Sequence, residues 1–399
     1  MKVNALGTGM LDARYMARAL MLARRGCFTV HPNPAVGCVL VRNHAIVGEG
    51  WHMRAGDDHA EIIALHMAGK RSHGATMYVT LEPCSHHGRT PPCCEALVAA
   101  GVSRVVIAMP DPNPQVAGRG LDYLHQAGIQ VDTVAAFSEQ AMELNRGFVQ
   151  RMISGLPWVR IKWASSLDGR CAMADGQSQW ITGSLARRDA HQWRARSGAV
   201  ISSVETVLAD DCSLNVRLPG FLPGPLGTME PWSQPVRVVL DRQLRTDQNA
   251  QLFNVDTPLI FFCGESAMKR APVLEKVGAR VIAVPSGDSG LDLHAVLTHL
   301  ARLEINEVLV EAGPKLSGNL VQSGLAHEAL IYQAPLLMGH EAIPMVKLPG
   351  LQALTSAISL EWIDTALIGK DMRSRALFPS GTVAQYEALS RLTHLRENH

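Results

Sequence analysis

Apolar residues recur at helical spacing from Asp12: Tyr15, Met16, Ala19, Leu20 and Leu22 share one face until Gly26 interrupts them, which predicts an opening helix. The rhythm then changes. AVGCVLV and HAIVGEG are short strand-like runs flanking Arg42-Asn43, a hairpin signal. A helix from His59, a strand at TMYVT, a helix near Cys93, a strand at RVVIAM, a helix around GLDYLHQAG and a strand at IQVDTV are expected in turn. This alternation implies a mixed sheet sandwiched by helices and finished near residue 145. One helix is expected over SEQAMELNRGFVQRMISG, ending on Gly155-Leu156-Pro157. A second α/β pattern starts there, with strands expected at WVRIKWA, GAVISS, VRVVLD, PLIFFC, ARVIAV, NEVLVE and ALIYQA. Leu218 to Pro235, rich in Pro and Gly, reads as a long surface loop. The pattern divides the chain into domains 1–154 and 155–399, both α/β.

Length agrees with that division, because 399 residues exceed a prior of roughly 150 per domain. The net charge of +1 and the lack of a long basic block interleaved with aromatics disfavour nucleic acid as a partner. A free metabolite fits better. No leader pattern opens the chain and no run of about 18 apolar residues occurs, so a cytoplasmic protein without a membrane partner is expected. Eight cysteines in a chain this long outline no disulfide framework, which agrees with a reducing compartment. A homo-oligomer is left open.

Some of those cysteines have another use. His59-Ala60-Glu61 precedes Pro83-Cys84, and Cys93 closes the run PCSHHGRTPPC. One imidazole and two thiolates give zinc three protein ligands and leave a fourth position for water, the arrangement of a catalytic site. Glu61 is then the group that moves protons between that water and a departing amine. Residues two apart on a helix point about 200° away from each other, so His59 must stand at the helix start for both side chains to converge. The order matches the H-x-E, P-C-x-x-C pattern of zinc nucleobase deaminases, with the cysteine spacing lengthened to C-x8-C. Cys94 is an alternative ligand; Cys93 is preferred because it directly follows the Pro-Pro turn, which leaves Cys94 to begin the helix. His86 and His87 are spare by count, since three ligands and water satisfy the metal.

The second half offers less. No G-x-G-x-x-G follows a strand, which disfavours a Rossmann domain. Glu311-Ala312-Gly313-Pro314-Lys315-Leu316-Ser317-Gly318 follows the strand VLV, and its glycines and helix start could receive a pyrophosphate. An ordinary strand-to-helix turn is the competing reading. Asp168 of SLDGR suits a turn cap as well as a functional role.

Taken together, HPNPAVG, HAE, EPCSHHGRTPPC, SLDGR, SQWIT, TVLADD and VEAG resemble the bifunctional riboflavin-biosynthesis family, a diaminohydroxyphosphoribosylaminopyrimidine deaminase fused to an aminophosphoribosylaminouracil reductase. The likeness covers nearly the whole chain and accounts for the long cysteine spacing. It implies a cytidine-deaminase-like α/β/α sandwich followed by a dihydrofolate-reductase-like α/β domain, with Zn2+ and NADPH as cofactors and phosphorylated pyrimidine metabolites as partners. By the same likeness, the cofactor meets Ser165, Trp180, Thr206, Asp210 and the loop Gly313, Pro314, Lys315, Leu316, Ser317, Gly318 and Asn319. The substrate meets Ser178, Arg194, Leu214, Arg217 and Glu311; arginine suits its phosphate because the fork binds two oxygens, with a plain surface charge as the alternative. Asn33 of HPNP is read as a pyrimidine or ribose contact, or equally as a turn residue between prolines. Arg242, at the end of VRVVL, is either the cation that accommodates the 2′-phosphate of NADPH or an exposed turn residue; Lys315 and Ser317 are next in line. The chain departs from the family pattern at Cys212, where proline is common, and at Gly183, where serine is usual. Two other classes stay in view: a nucleic-acid base deaminase with an accessory domain, which the neutral charge opposes, and a non-catalytic metabolite-binding module, which intact His59, Glu61, Cys84 and Cys93 oppose.

Overall fold

A computed structural model describes residues 5–85, 91–113, 116–217, 232–287, 290–384 and 387. His86, His87 and most of the expected surface loop, 218–231, lie outside the described residues. Two compact units are formed, one reaching Ser154 and the other beginning at Gly155. Gly155 takes φ of +74°, a left-handed conformation that ends the preceding helix at little steric cost.

The first unit runs α1 (Ala5–Ala23), β1 (Gly37–Arg42), β2 (Ala45–Trp51), α2 (Ala60–Ala68), β3 (Thr76–Val79), α3 (Cys93–Ala99), β4 (Arg104–Ile107), α4 (Arg119–Gln126), β5 (Gln130–Thr133), α5 (Ser138–Leu144) and α6 (Arg146–Ser154). Its sheet has the order β2-β1-β3-β4-β5, antiparallel through β2-β1-β3 and parallel beyond. Strand periodicity sorts the core into two layers. Val39, Val41, Tyr78 and Val106 meet Tyr15, Met16, Ala19, Met142 and Val149. Their neighbours Cys38, Leu40, Met77, Val79 and Val105 meet Ala60, Ala64, Leu97, Leu121 and Leu124. The result is a helix–sheet–helix sandwich.

Two expectations are corrected here. The hairpin turns on Asn43 and His44, both at positive φ (50° and 63°), rather than on Arg42-Asn43. The expected single helix breaks at Asn145, whose buried side chain leaves the helix surface to accept from Ala35 N (2.7 Å) and donate to Ala35 O (3.0 Å).

The second unit comprises β6 (Trp158–Ser166), β7 (Arg170–Ala172), α7 (Ser184–Arg196), β8 (Ala199–Ser203), α8 (Val204–Asp210), β9 (Val236–Leu240), β10 (Leu259–Cys263), α9 (Ala271–Glu275), β11 (Arg280–Ala283), β12 (Ser286–Gly287), β13 (Gly290–Leu291), α10 (Leu293–Arg302), β14 (Glu307–Val310), α11 (Pro314–Gln322), β15 (Glu328–Ala334), β16 (Ile343–Pro344), β17 (Glu361–Ile368) and β18 (Asp371–Leu377). Nine strands join in the order β11-β10-β9-β8-β14-β6-β15-β18-β17. The first seven are parallel neighbours, and β18 and β17 add antiparallel. All seven expected strands are present, and both faces of the parallel part are covered by helices, as its continuous apolar runs require. β17 and β18 were not expected. Asp371, Arg373 and Arg375 break the apolar alternation of β18, yet Arg375 is buried against Glu328 (2.7 Å) and Asp364 (2.8 Å). Among the described residues no helix is long and apolar enough to cross a membrane.

Candidate active sites

His59 is the residue before α2, with extended φ and ψ of −70° and 160°. It therefore escapes the divergence that two helical residues would suffer, and its imidazole turns to the same place as Glu61. Cys93 is the first residue of α3 and follows Pro92. Cys84 lies on the loop after β3. His59 Nδ1 is 3.2 Å from Cys93 Sγ and 3.6 Å from Cys84 Sγ, and the three ligand atoms all lie within 4.8 Å of one another. Tetrahedral zinc with Zn–N of about 2.05 Å and Zn–S of about 2.3 Å needs N···S separations of about 3.6 Å, so the donor set fits that metal in kind and spacing. Cys94 is turned away, its Sγ directed at Pro83 O (3.3 Å) and Gly120 O (3.5 Å). Cys93, not Cys94, begins the helix, because Pro92 supplies the turn that admits it.

The electrostatics suit a cation. A hydrogen bond from Cys93, against the opposing effect of burial and with help from His59, pulls the Cys84 thiol down to about 4. Its hydrogen bond to Cys84 raises His59 to about 9 despite burial, and the Cys93 thiol is pushed strongly up by Cys84 and burial. Protons thus occupy a site whose ligands must be deprotonated to bind metal, and a divalent ion would displace them. Glu61, 4% exposed, is raised by burial to about 7, near the pH at which a proton shuttle works best.

Sequence reasoning missed two supports of this site. Glu82 is buried and its carboxylate accepts from Asp111 N (3.1 Å), Gly118 N (3.1 Å) and Gly120 N (3.0 Å), fixing the loop that delivers Cys84. Gly120 lies so close that an added Cβ would stand 2.3 Å from Pro83 O. His52 bonds Asn33 Nδ2 through Nε2 (2.9 Å) and packs edge-on against His59 at 5.3 Å between ring centroids. Asn33 is thereby linked to the metal-type cluster, and the EPC run was the only signal pointing toward Glu82.

In the second unit, strand order reverses around β14, which lies between β8 and β6 although it follows both in the chain. Ligands bind at such switch points, beyond the carboxyl ends of the strands. There the largely enclosed Glu311 is paired with Arg194 through both oxygens, with Lys162 Nζ 3.5 Å away. Burial opposes the charge, but Arg194 and Lys162 prevail and hold Glu311 at about 2. Gly313 N donates to Thr206 Oγ1 (3.2 Å), and Ser178 Oγ donates to Asp210 Oδ1 (3.3 Å). Leu214 is buried at positive φ (55°), and Arg217 is exposed with Nη1 on Asn215 Oδ1 (2.8 Å). Ser165 Oγ is fully buried without a hydrogen-bond partner among the described residues, at the end of β6.

The structure qualifies several expected roles. Arg194 holds Glu311 through Nε and Nη2 and donates from Nη1 to Asn215 O (2.9 Å). A Cβ on Gly318 would meet Lys347 O at 1.8 Å, so this glycine admits the chain's own backbone. Leu316 belongs to the apolar core, and Ser317 is buried with Oγ near Ala312 O (3.5 Å). Pro314 and Lys315 open α11, and Asn319 follows a turn later. Trp180 is 67% exposed, with the Arg187 guanidinium 4.3 Å above its ring. Arg242 is exposed beyond β9 and donates to Gly287 O (2.8 Å). Gly183 N donates to Asp371 Oδ2 (2.6 Å), and burial pushes the Cys212 thiol up to about 11.

A deaminase-type metal cluster in one unit and a polar switch point in the other define a two-part enzyme of the deaminase–reductase class. Residues 10–109 match the cytidine and deoxycytidylate deaminase zinc-binding region, and residues 157–373 match the RibD C-terminal domain. Riboflavin biosynthesis protein RibD of Escherichia coli is 48% identical over 91% of this chain and 98% of its own, and that of Haemophilus influenzae 46% identical over 91% and 96%. Among solved structures, Acinetobacter baumannii RibD is similar with a TM-score of 0.85 and 42% identity, over 93% of this chain and 99% of its own. A diaminohydroxyphosphoribosylaminopyrimidine deaminase/5-amino-6-(5-phosphoribosylamino)uracil reductase from Thermotoga maritima follows with a TM-score of 0.79 and 30% identity, over the same shares. The chain belongs to the RibD family, the bifunctional deaminase–reductases of riboflavin biosynthesis. Its first unit is cytidine-deaminase-like and its second is of the dihydrofolate-reductase-like RibD type.

Proposed function

We propose that residues 1–154 hydrolytically deaminate 2,5-diamino-6-(5-phosphoribosylamino)pyrimidin-4(3H)-one, and that residues 155–399 use NADPH to reduce the ribosyl chain of 5-amino-6-(5-phosphoribosylamino)uracil to ribityl. The observation that carries the first half is the convergence of His59, Cys84 and Cys93 beside buried Glu61. Those three residues would hold zinc, which supplies Lewis acidity that makes water nucleophilic near neutral pH. Glu61 accepts a proton from the attacking water and delivers it to the departing amine, and burial keeps its affinity for that proton matched to both transfers. Asn33, steadied by His52, orients the pyrimidine or its ribose.

For the second half, Ser165, Trp180, Thr206, Asp210 and the α11 start from Gly313 to Asn319 are the residues that would hold the dinucleotide, which supplies the hydride. The buried Ser165 hydroxyl, without a partner among the described residues, and the α11 start with its helix dipole fit a polar, phosphate-bearing ligand. Ser178, Arg194, Leu214, Arg217 and Glu311 receive the substrate. Arg217 takes the phosphate, while Arg194 fixes Glu311. Arg242 remains the candidate for the NADPH 2′-phosphate.

Glu61→Gln in the full chain tests the division of labour. It should abolish deamination with zinc content unchanged, while reduction of the deaminated substrate continues. A variant that still deaminates near the normal rate refutes the shuttle. Arg242→Ala should raise the KM for NADPH roughly ten- to a hundredfold with little change for NADH; an unaltered preference moves the determinant to Lys315 or Ser317.

A further inference from the structure

The SLDGR turn has no part in the chemistry above, yet it is tied to the loop assigned to the dinucleotide. After β15, residues 335–349 form a strap along the carboxyl ends of the central strands. Leu167 N donates to Leu336 O (2.8 Å), Asp168 accepts from Met338 N (3.1 Å) and Gly339 N (2.8 Å), and Met345 N donates to Gly169 O (3.0 Å). β16 of the strap pairs with β7 just after the turn. Asp168 also accepts from Ser166 Oγ, which itself accepts from Arg170 N (2.9 Å), so the carboxylate closes the turn and grips the strap at once.

The far end of the strap reaches α11. Lys347 N donates to Pro314 O (3.0 Å), Lys347 O lies in the space that the missing Cβ of Gly318 leaves, and Gln322 Nε2 donates to Pro349 O (2.8 Å). The strap thus has one anchor at the end of β6, one residue beyond Ser165, and the other along α11 from Pro314 to Gln322. Those are two of the elements that the proposed dinucleotide site uses.

We propose that Asp168 is a positioning residue for the nicotinamide nucleotide, acting through the strap to fix the α11 start relative to the end of β6. The proposal rests on the assignment of the Gly313–Asn319 loop to the dinucleotide. A backbone amide bound by a carboxylate is held by a charge-assisted hydrogen bond, stronger than a neutral one. Asp168→Asn keeps the shape but removes the charge and sets an NH2 against one of the strap amides. Loosening then falls on the nucleotide loop, whereas Arg194 and Glu311 bond to each other, to Asn215 and to Lys162 rather than to the turn among the described residues.

The test uses the full chain. Asp168→Asn should raise the KM and the directly measured Kd for NADPH about tenfold. The kcat and the KM for the phosphorylated uracil substrate should stay within about twofold, and deamination should be unchanged. Amide hydrogen exchange over residues 314–322 should quicken in the variant and slow in the wild type on adding NADPH. Absence of NADPH protection there in the wild type refutes the underlying loop assignment. Protection in the wild type with an unaltered Kd in Asp168→Asn overturns the positioning role alone, as does a parallel loss of both substrates' KM and melting temperature. Should that variant fail to fold, Ser166→Ala, which removes the hydroxyl donor to Asp168, must shift the NADPH Kd in the same direction or the proposal falls.

Discussion

Replacing Asn145 with alanine isolates the contribution of one buried side chain to the deaminase unit. Asn145 joins the α5–α6 break to the HPNPAVG segment by accepting from Ala35 N at 2.7 Å and donating to Ala35 O at 3.0 Å and Ala141 O at 3.3 Å. Ala35 is 3% exposed, so both of its backbone groups lose their partner away from solvent. An unmet buried group costs about 1–3 kcal/mol, and a water entering the vacated space recovers part of it, leaving a loss on the order of 3–4 kcal/mol. For a unit of this size that lowers the melting temperature on the order of 10 °C. Calorimetry of the zinc-loaded full chain should show one transition moving while the other stays. Asn33 lies two residues from Ala35, so the deaminase KM should also rise whereas reduction is unaffected. A shift below about 2 °C, or an equal shift in both transitions, would refute the claim that Asn145 is a specific strut of this unit.

Gly120→Ala should lower zinc affinity at least about tenfold, since the new methyl meets Pro83 O and displaces the residue before Cys84; competition with a chelator measures it, and an unchanged affinity means that the loop yields freely. Glu311 gives a pH signature. Its folded value near 2 lies below the ordinary 4.5, so its pairing stabilises the protein above about pH 4.5 and is lost as pH falls toward 2, a contribution on the order of 3 kcal/mol. Glu311→Gln should therefore be much less stable than the wild type at pH 7, with the gap narrowing in acid; urea unfolding at several pH values checks this, and a gap independent of pH contradicts it.

The sequence by itself determined the elements whose signal is local. Short runs rich in Val, Ile and Leu marked β8, β9, β10 and β14 as strands of an α/β pattern, because residues of that type favour extended backbone and the runs are too short for helices. His59, Glu61, Cys84 and Cys93 were legible because only a few residue types ligate zinc and their order along the chain is tightly constrained. Other features have no local signature. Strand β18, paired between β15 and β17, carries arginines whose burial depends on partners such as Glu328, 47 residues away for Arg375, so its pattern looked like surface until the partner was in place. Asn145 sits in an unbroken helical pattern, and only Ala35, 110 positions earlier, breaks it. The choice of Cys93 over Cys94 depended on the helix start, and the commitment of the Arg194 fork to Glu311 on a pairing across 117 residues. Tertiary structure decided these points because a polar group's role is set by the partner that meets its hydrogen bonds on burial, and that partner is brought there by the fold.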